Sequence, residues 1–398
     1  MAQLVLTFAG PDAPGITARL MRILAAQKAR LDDVEQVVVQ GWLTLGFAVS
    51  VDVPAQPGVV TGEEALLKEL LFAARELGLT MEYRRAPETA ASSLRYVLTV
   101  IARSLGPAEL QSVSEALSKH GANIERIHRL SEGGLACVEL AVSLADASSE
   151  AALKRELLAA AGQGAFDCAL QKESLLRRSK RLVVMDMDST LIRIEVIDEL
   201  ARAHGVGDQV SGITRRAMQG EIDYNQSLRE RVALLKGLDA RVLQDLADNL
   251  PLTEGAETLL RVLKRLGYRT AVISGGFSVA AEALQKRLGI DFAWSNTLEI
   301  SAGKLTGKVL GPIVNAQRKA ELLTELSARE GVPLDQVIAI GDGANDLLML
   351  QKAGHGIAFH AKPKLREAAH TSISAMGLDA ILYLLGISAR EVVQLSDV

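Results

Sequence analysis

"LVVMDMDSTL", residues 182–191, sets four apolar residues directly against two aspartates one position apart. The apolar run reads as a short buried strand that stops at Asp186. Side chains alternate on extended backbone, so Asp186 and Asp188 face the same way. Two carboxylates that close repel each other, and each costs free energy to take out of water. A bound metal ion relieves both problems. The pair is therefore a candidate metal site, provided the rest of the chain supplies partners.

The partners lie downstream. "RTAVISGG", "QVIAIGDG" and "HGIAFHA" are further apolar strand candidates, and they alternate with long helices. That pattern predicts an α/β fold with a doubly wound parallel sheet. Such sheets bind ligands beyond the carboxyl ends of their strands. Here one strand ends at Asp186 and Asp188, the next at Ser274-Gly275-Gly276, and a third in "GDGAND", 341–346, with Asp342, Asn345 and Asp346. Between the last two, Lys319 opens a helix in "NAQRKAELL". Each feature alone is ordinary. D-x-D can be a piece of a calcium loop, although the EF-hand glycine and twelfth-position glutamate are absent. S-G-G can be a simple turn, and a lysine at a helix start is usually solvated. Together, in this order, they form a specific constellation. Residues 195–262 interrupt the alternation with helices and no strand candidate, and read as an inserted cap.

"VVMDMDSTL", "VISGG", Lys319 and "IGDGANDLLML" resemble the four motifs of the haloacid-dehalogenase-like phosphatases. Glu195 in "IRIEVIDELA" and the stretch "AMQGEIDYNQSLRERVALLKGL", 217–238, are similar to the phosphoserine phosphatase family within that group. The resemblance implies Mg²⁺-dependent hydrolysis of O-phospho-L-serine to L-serine and phosphate through an aspartyl-phosphate, the last step of serine biosynthesis. It makes Asp186 the nucleophile and Asp188 the general acid and base, a division that charge alone does not decide. Mg²⁺ would be held by the carboxylates of Asp186 and Asp342 and the backbone carbonyl of Asp188, with Asp346 in support. Serine alkoxide is a poor leaving group, so Asp188 must start protonated, with a raised pKa in a closed site. Lys319, the Ser274 hydroxyl, the Gly275 N–H and backbone N–H groups near Ser189 are the implied phosphoryl donors. Asn345 is placed to position Lys319 or touch the phosphate, and Thr190 to brace the loop.

Substrate choice is expected from the cap. Tyr224, Leu228 and Arg231 are spaced i, i+4, i+7 and share one helix face. Arg231 can grip a carboxylate bidentately and Glu195 can hold an ammonium, so the pair would read an amino-acid zwitterion. Met218 and Tyr224 would form an apolar lid. Spacing alone favours a solvated Arg231 and a helix-start acid at Glu195. The resemblance is what assigns both to substrate.

The N-terminal half reads differently. "RRAPETAASSL", 84–94, is small, polar and broken by proline, as a linker is. Two similar segments flank it, "LVLTFAGPDAPGITARL…" and "YVLTVIARSLGPAELQS…", offset by 92 to 93 residues. Each runs strand, helix, strand, strand, helix, strand, the ferredoxin-like βαββαβ plan, and together they suggest a duplication. Both resemble ACT domains, a family that often senses amino acids. Asp12 and Gly15 of "GPDAPG" match its ligand-binding first turn. The second copy has "RSLGPA", with Gly106 but no aspartate. Simple helix initiation accounts for either turn as well. The expected domains are an ACT domain at 1–86, a second at 94–174, and a phosphatase domain at 180–398. The ACT pair would bind L-serine or another amino acid, or pair two chains into a homodimer.

Hydrophobic residues make up 48% and charged residues 23%, the make-up of an ordinary globular chain. A net charge of −4 and the lack of a basic block with interleaved aromatics argue against a nucleic-acid partner. "LLRRSKRL", 175–182, reads as a short solvated linker. Cys137 and Cys168 sit among apolar residues and read as reduced core cysteines. The histidines, including His355 and His360, show no ligand spacing. No apolar run approaches the ~18–20 residues that span a bilayer, and no charged segment leads a signal-like stretch, so no membrane partner and a cytoplasmic location are expected. No G-x-x-x-x-G-K-[ST] or G-x-G-x-x-G appears, which argues against a kinase. Two alternatives stay open: a related phosphatase or phosphotransferase, for example to homoserine, and an amino-acid-sensing interaction module with residual catalysis.

Overall fold

The computed structural model describes residues 2–51, 62–86, 94–131 and 135–396. They fall into two units, 1–91 and 92–398. In the first, β1 (Ala2–Pro11), β2 (Arg30–Val39), β3 (Trp42–Val51) and β4 (Thr80–Arg85) form an antiparallel sheet in the order β2-β3-β1-β4. Helices Ile16–Ala26 and Gly62–Glu76 connect them. Period-two alternation puts Leu4, Leu6 and Phe8 of β1 on the same buried face as Leu43, Leu45 and Phe47 of β3. Ile16, Leu20 and Leu24, one helical face, close over them. Gly15 caps that helix with φ +94°, a conformation glycine adopts freely. The linker read at 84–94 starts late and ends early: Arg84 and Arg85 belong to β4, and 87–93 lie outside the described residues.

The second unit opens on the same plan. Strands β5 (Leu94–Ala102), β6 (Ala122–Arg129), β7 (Ala136–Leu144) and β8 (Phe166–Lys172), with helices Pro107–Lys119 and Glu150–Gln163, repeat the order as β6-β7-β5-β8. Leu98 faces Leu140 across the ladder as Leu6 faces Phe47 in the first copy. Both βαββαβ readings are correct.

Seven strands follow: β9 (Leu182–Met185), β10 (Arg269–Phe277), β11 (Phe292–Ser301), β12 (Lys304–Leu310), β13 (Val337–Gly341), β14 (His355–Phe359) and β15 (Thr371–Ile373). They order as β12-β11-β10-β9-β13-β14-β15, with every pairing parallel except β11–β12. The chain leaves β9 toward β10 on one side and returns to β13 on the other, so the carboxyl end of β9 is a topological switch point. All four residues of β9 are buried; Val183 and Met185 join one hydrophobic layer, Leu182 and Val184 the other. A run with no polar residue is what a central strand covered on both faces requires. Strands β11, β12 and β15 lie toward the sheet's edges and lack such a run, which is why the sequence reading passed over them.

The insertion after β9 is helical (Val196–Ala203, Gly207–Met218, Tyr224–Leu234, Ala240–Asp248). It closes where Ile192 pairs with Leu252 and the Thr253 N–H meets the Leu191 carbonyl at 3.0 Å. That is about ten residues short of the boundary read at 262: helix Ala256–Arg265 leads into β10 and packs on the sheet. The β12 hairpin supports the insertion, Gly237 donating to the Leu305 carbonyl at 2.8 Å.

The second ACT-like copy is fused to this domain. Its Ile101, Leu130, Cys137 and Ala169 belong to the same core cluster as Val183 and Met185. Much of "LLRRSKRL" is exposed as a solvated linker is, but Arg177 is buried and bonds the buried Glu139 and the Gln171 side chain. The buried Asp167 carboxylate accepts the N–H groups of Ser374, Ala375 and Met376 at 2.7, 2.9 and 3.1 Å. His355 bonds Thr371 and Gln171, and His360 bonds the Met376 carbonyl, so both are structural histidines. Cys137 and Cys168 are buried and unpaired. Asp167→Ala leaves three backbone donors without a partner, and should cost the full chain about 2 kcal/mol in urea unfolding. A change below about 0.5 kcal/mol would show the carboxylate to be dispensable.

Candidate active site

The Asp186 N–H donates to the Ile340 carbonyl at 2.9 Å, which continues the β9–β13 ladder by one residue and sets the carboxylate at the top of the central strand. One carboxylate oxygen accepts the Met187 N–H at 2.7 Å; the other lies 2.7 Å from Lys319 Nζ. The chain then turns sharply. Ser189 takes the left-handed conformation, φ +56°, and the Ile192 N–H returns to the Met187 carbonyl at 3.0 Å. This turn buries the Asp188 carboxyl, which accepts the Val196 N–H at 3.4 Å. Burial first, then the charges of Glu195 and Asp186, push its pKa well above the usual carboxylate range. Gly276 lets the S-G-G turn close on it, since a Cβ there would lie 2.5 Å from the Asp188 carboxyl oxygen.

Lys319 is fully buried on helix Ala316–Arg329, which Asn315 caps by accepting the Arg318 N–H at 3.0 Å. Its Nζ stands 2.7 Å from both Asp186 and Asp346. Burial pulls its pKa down, but the two carboxylates more than reverse that, and the net shift is upward. Beyond β13, Asp346 accepts the Gly343 N–H at 3.0 Å, and Gly341 must be glycine because a Cβ would meet Asp346 Cγ at 2.4 Å. Asp342 accepts the Thr190 hydroxyl at 2.9 Å, which ties the turn after β9 to the end of β13. Burial and the Asp186 charge push Asp342 and Asp346 each up to about 7.

Asp186, Asp342 and Asp346 each bring a carboxylate oxygen within 4.8 Å of the others. With Lys319 among them, the formal charge is −2 when all are ionised. Three hard oxygen donors around that charge fit a divalent cation, which would replace their mutual repulsion with attraction.

Other expected residues fall at different distances from this centre. Glu195 accepts the Ser189 hydroxyl at 2.7 Å. Desolvation, Asp186 and Asp198 raise its pKa, while the Ser189 hydrogen bond and, less, Arg231 oppose them. Arg231 Nε bonds the Ser227 carbonyl at 3.4 Å. The Tyr224 hydroxyl donates to the Gly275 carbonyl at 3.3 Å. The Ser189 N–H itself is given to the Ile194 carbonyl at 3.2 Å. The Lys319 ammonium is held by Asp186 and Asp346. Met218 is 66% exposed, with Lys362 Nζ 4.0 Å from its sulfur, and forms no apolar lid here. The Gly106 N–H is taken by the Glu109 carboxylate at 2.8 Å, which is plain helix capping. Asp12 is exposed and its N–H bonds the Gly41 carbonyl.

Two asparagines escaped the sequence reading. Asn315 had a signal, an Asn directly before a helix. Asn296, buried in β11, had none that separates it from any strand residue.

This constellation defines a haloacid dehalogenase-like hydrolase joined to two ACT domains. Family models agree: a haloacid dehalogenase-like hydrolase model matches residues 180–354, and ACT-domain models match 2–84 and 95–171. A phosphoserine phosphatase of Streptomyces coelicolor is 45% identical over 96% of this chain and 92% of its own length. Phosphoserine phosphatase SerB2 of Mycobacterium tuberculosis is 40% identical over 98% and 94%. The chain belongs to the phosphoserine phosphatase family. Among solved structures, a haloacid dehalogenase-family hydrolase of Salmonella enterica serovar Typhi has a TM-score of 0.65 at 33% identity, covering 73% of this chain and 98% of its own. A probable phosphoserine phosphatase of Vibrio cholerae has 0.57 at 35%, covering 76% and 89%.

Comparing the parent with Asp342→Asn in chelator isolates one member of the cluster. Its folded pKa lies above the ordinary carboxylate value, so its stabilising contribution is complete below about pH 4 and lost as pH rises through about 7. The variant should gain on the parent across that window, by a few kcal/mol at most, in denaturant titrations. A difference independent of pH would show that neither burial nor the Asp186 charge raises its pKa.

Proposed function

We propose that this chain hydrolyses O-phospho-L-serine to L-serine and phosphate, the closing step of serine biosynthesis, with Asp186 as nucleophile. The observation that carries the reading is the Asp186 carboxylate, held at the switch point by Lys319 and facing Asp342 and Asp346. Mg²⁺ is the cation we assign, held by Asp186, Asp342 and the Asp188 carbonyl; when bound it neutralises the carboxylates and lets an anionic substrate approach.

Asp186 attacks phosphorus; the new O–P bond forms as the P–O bond to serine breaks. Asp188, whose burial raises its pKa well above the usual carboxylate range, gives its proton to the departing serine oxygen. As a carboxylate it then takes a proton from water, whose oxygen attacks phosphorus and releases phosphate from Asp186. Lys319 and the Ser274 hydroxyl face the charge that spreads over the phosphoryl oxygens. Arg231 and Glu195 bind the carboxylate and ammonium of the serine moiety. Among the described residues the Arg231 side chain bonds a backbone carbonyl through Nε, which leaves guanidinium donors for a ligand.

The ACT pair supplies amino-acid binding. We assign the ligand, L-serine or another amino acid, to the first copy at Asp12 and Gly15, since the second copy's turn is capped internally by Glu109. Strand β2 is an exposed sheet edge carrying Val34, Val37 and Val39, and suits pairing into a homodimer. Among the described residues no helix is long and apolar enough to cross a membrane. The two buried free thiols fit a reducing compartment, and we place the enzyme in the cytoplasm.

Asp186→Asn should fold normally and lose roughly a thousandfold or more in kcat on O-phospho-L-serine; near-normal turnover would remove Asp186 from the chemistry. Arg231→Ala should raise KM for O-phospho-L-serine about tenfold or more while sparing phosphoethanolamine, which lacks the carboxylate. Equal effects on both substrates would assign Arg231 to the phosphate or to structure.

A further inference from the structure

Strand β10 runs parallel to β11 only to a point. Ile273 pairs with Trp294 and Phe277 with Asn296, so three residues of β10 oppose one of β11 and the chain bulges at Ser274-Gly275-Gly276. A bulge leaves backbone groups unpaired. Here the Asn296 side chain, 1% exposed, spans the gap. Its Nδ2 donates to the Gly275 carbonyl at 2.8 Å, and its Oδ1 accepts the Val314 N–H at 2.9 Å, just before the cap of the Lys319 helix. The Gly275 carbonyl also accepts the Tyr224 hydroxyl at 3.3 Å from the inserted helices.

The Gly275 carbonyl and the Gly276 N–H belong to one rigid peptide plane. Glycine flanks that plane on both sides, so little in its own φ/ψ preferences holds it in one orientation. The Gly276 N–H donates to Ser274 Oγ at 2.9 Å. With its oxygen accepting that bond, the Ser274 hydroxyl keeps its own hydrogen for another acceptor.

We infer that Asn296 is a positioning residue: by holding the Gly275 carbonyl it fixes the Gly275–Gly276 peptide plane, and through the Gly276 N–H it orients the Ser274 hydroxyl toward the phosphoryl group. Tyr224 holds the same carbonyl from the insertion, so the core and the substrate-selecting helices converge on one peptide. The inference rests on the assignment of Ser274 as a phosphoryl donor.

A double-mutant cycle tests it in the full-length, Mg²⁺-loaded enzyme with O-phospho-L-serine. Asn296→Asp keeps the acceptor for Val314 and loses the donor to Gly275. It should lower kcat/KM about tenfold in the parent. In a Ser274→Ala background the same change should cost less than about twofold, because the group it orients is gone. A merely structural Asn296 would give equal losses in both backgrounds, and that result would overturn the proposal. If Asn296→Asp fails to fold, Asn296→Ser, which removes the donor to Gly275 with a smaller change in charge, is cycled against Ser274→Ala and judged by the same rule. If Ser274→Ala alone leaves kcat/KM unchanged, the assignment of Ser274 is wrong, and the inference falls with it.

Discussion

A buried ammonium between two buried carboxylates organises this enzyme. Lys319, Asp186 and Asp346 come from three separate segments, and none of the three side chains would be tolerated alone where it sits. Taking ions from water costs several kcal/mol each, and only close, well-directed partners repay it. The cluster therefore makes folding and active-site assembly one event: the sheet cannot close around Asp186 without delivering Lys319 and Asp346 to it. Asp342 adds a further carboxylate, so the site holds an excess of negative charge that a divalent cation answers. Two positions on, burial first and then the charges of Glu195 and Asp186 hold the Asp188 carboxyl well above the usual carboxylate range.

Glycine does related work around this centre. At Gly276 and Gly341 a methyl group would run into Asp188 and Asp346, respectively. These positions let backbone and carboxylates approach more closely than any side chain would permit. The S-G-G turn then needs an external restraint, because glycine peptides do not orient themselves. Asn296 and Tyr224 stand where such a restraint is needed.

The two ACT-like copies share a fold and differ in attachment. The second shares a hydrophobic core with the catalytic domain and reaches it through Asp167 and the Arg177–Glu139 pair, both buried. The first forms a unit with its own core. In the second, the turn that matches the first copy's candidate ligand loop is closed by Glu109, a local choice of residue that converts a shared framework into a different surface.

Much of this was legible in one dimension. The four catalytic segments, the duplicated βαββαβ plan and the central strands declare themselves because buried strands need unbroken apolar runs and turns need glycine and proline. The edge strands β11, β12 and β15 do not, since a sheet margin makes weaker demands on composition. "LLRRSKRL" reads as solvent-exposed by composition, yet a carboxylate thirty-eight positions upstream makes burial of Arg177 affordable. Met218 was read as part of an apolar lid, yet it is 66% exposed with Lys362, from a distant segment, beside its sulfur. Residue types and their order thus determined the fold class and the chemistry available, because those follow from local backbone preference and from which groups can attack, donate or coordinate. Which carboxylate meets the lysine, which N–H groups remain free and what holds the Gly275 carbonyl were decided only by tertiary structure, because hydrogen bonds and charge pairs depend on distances between segments far apart along the chain.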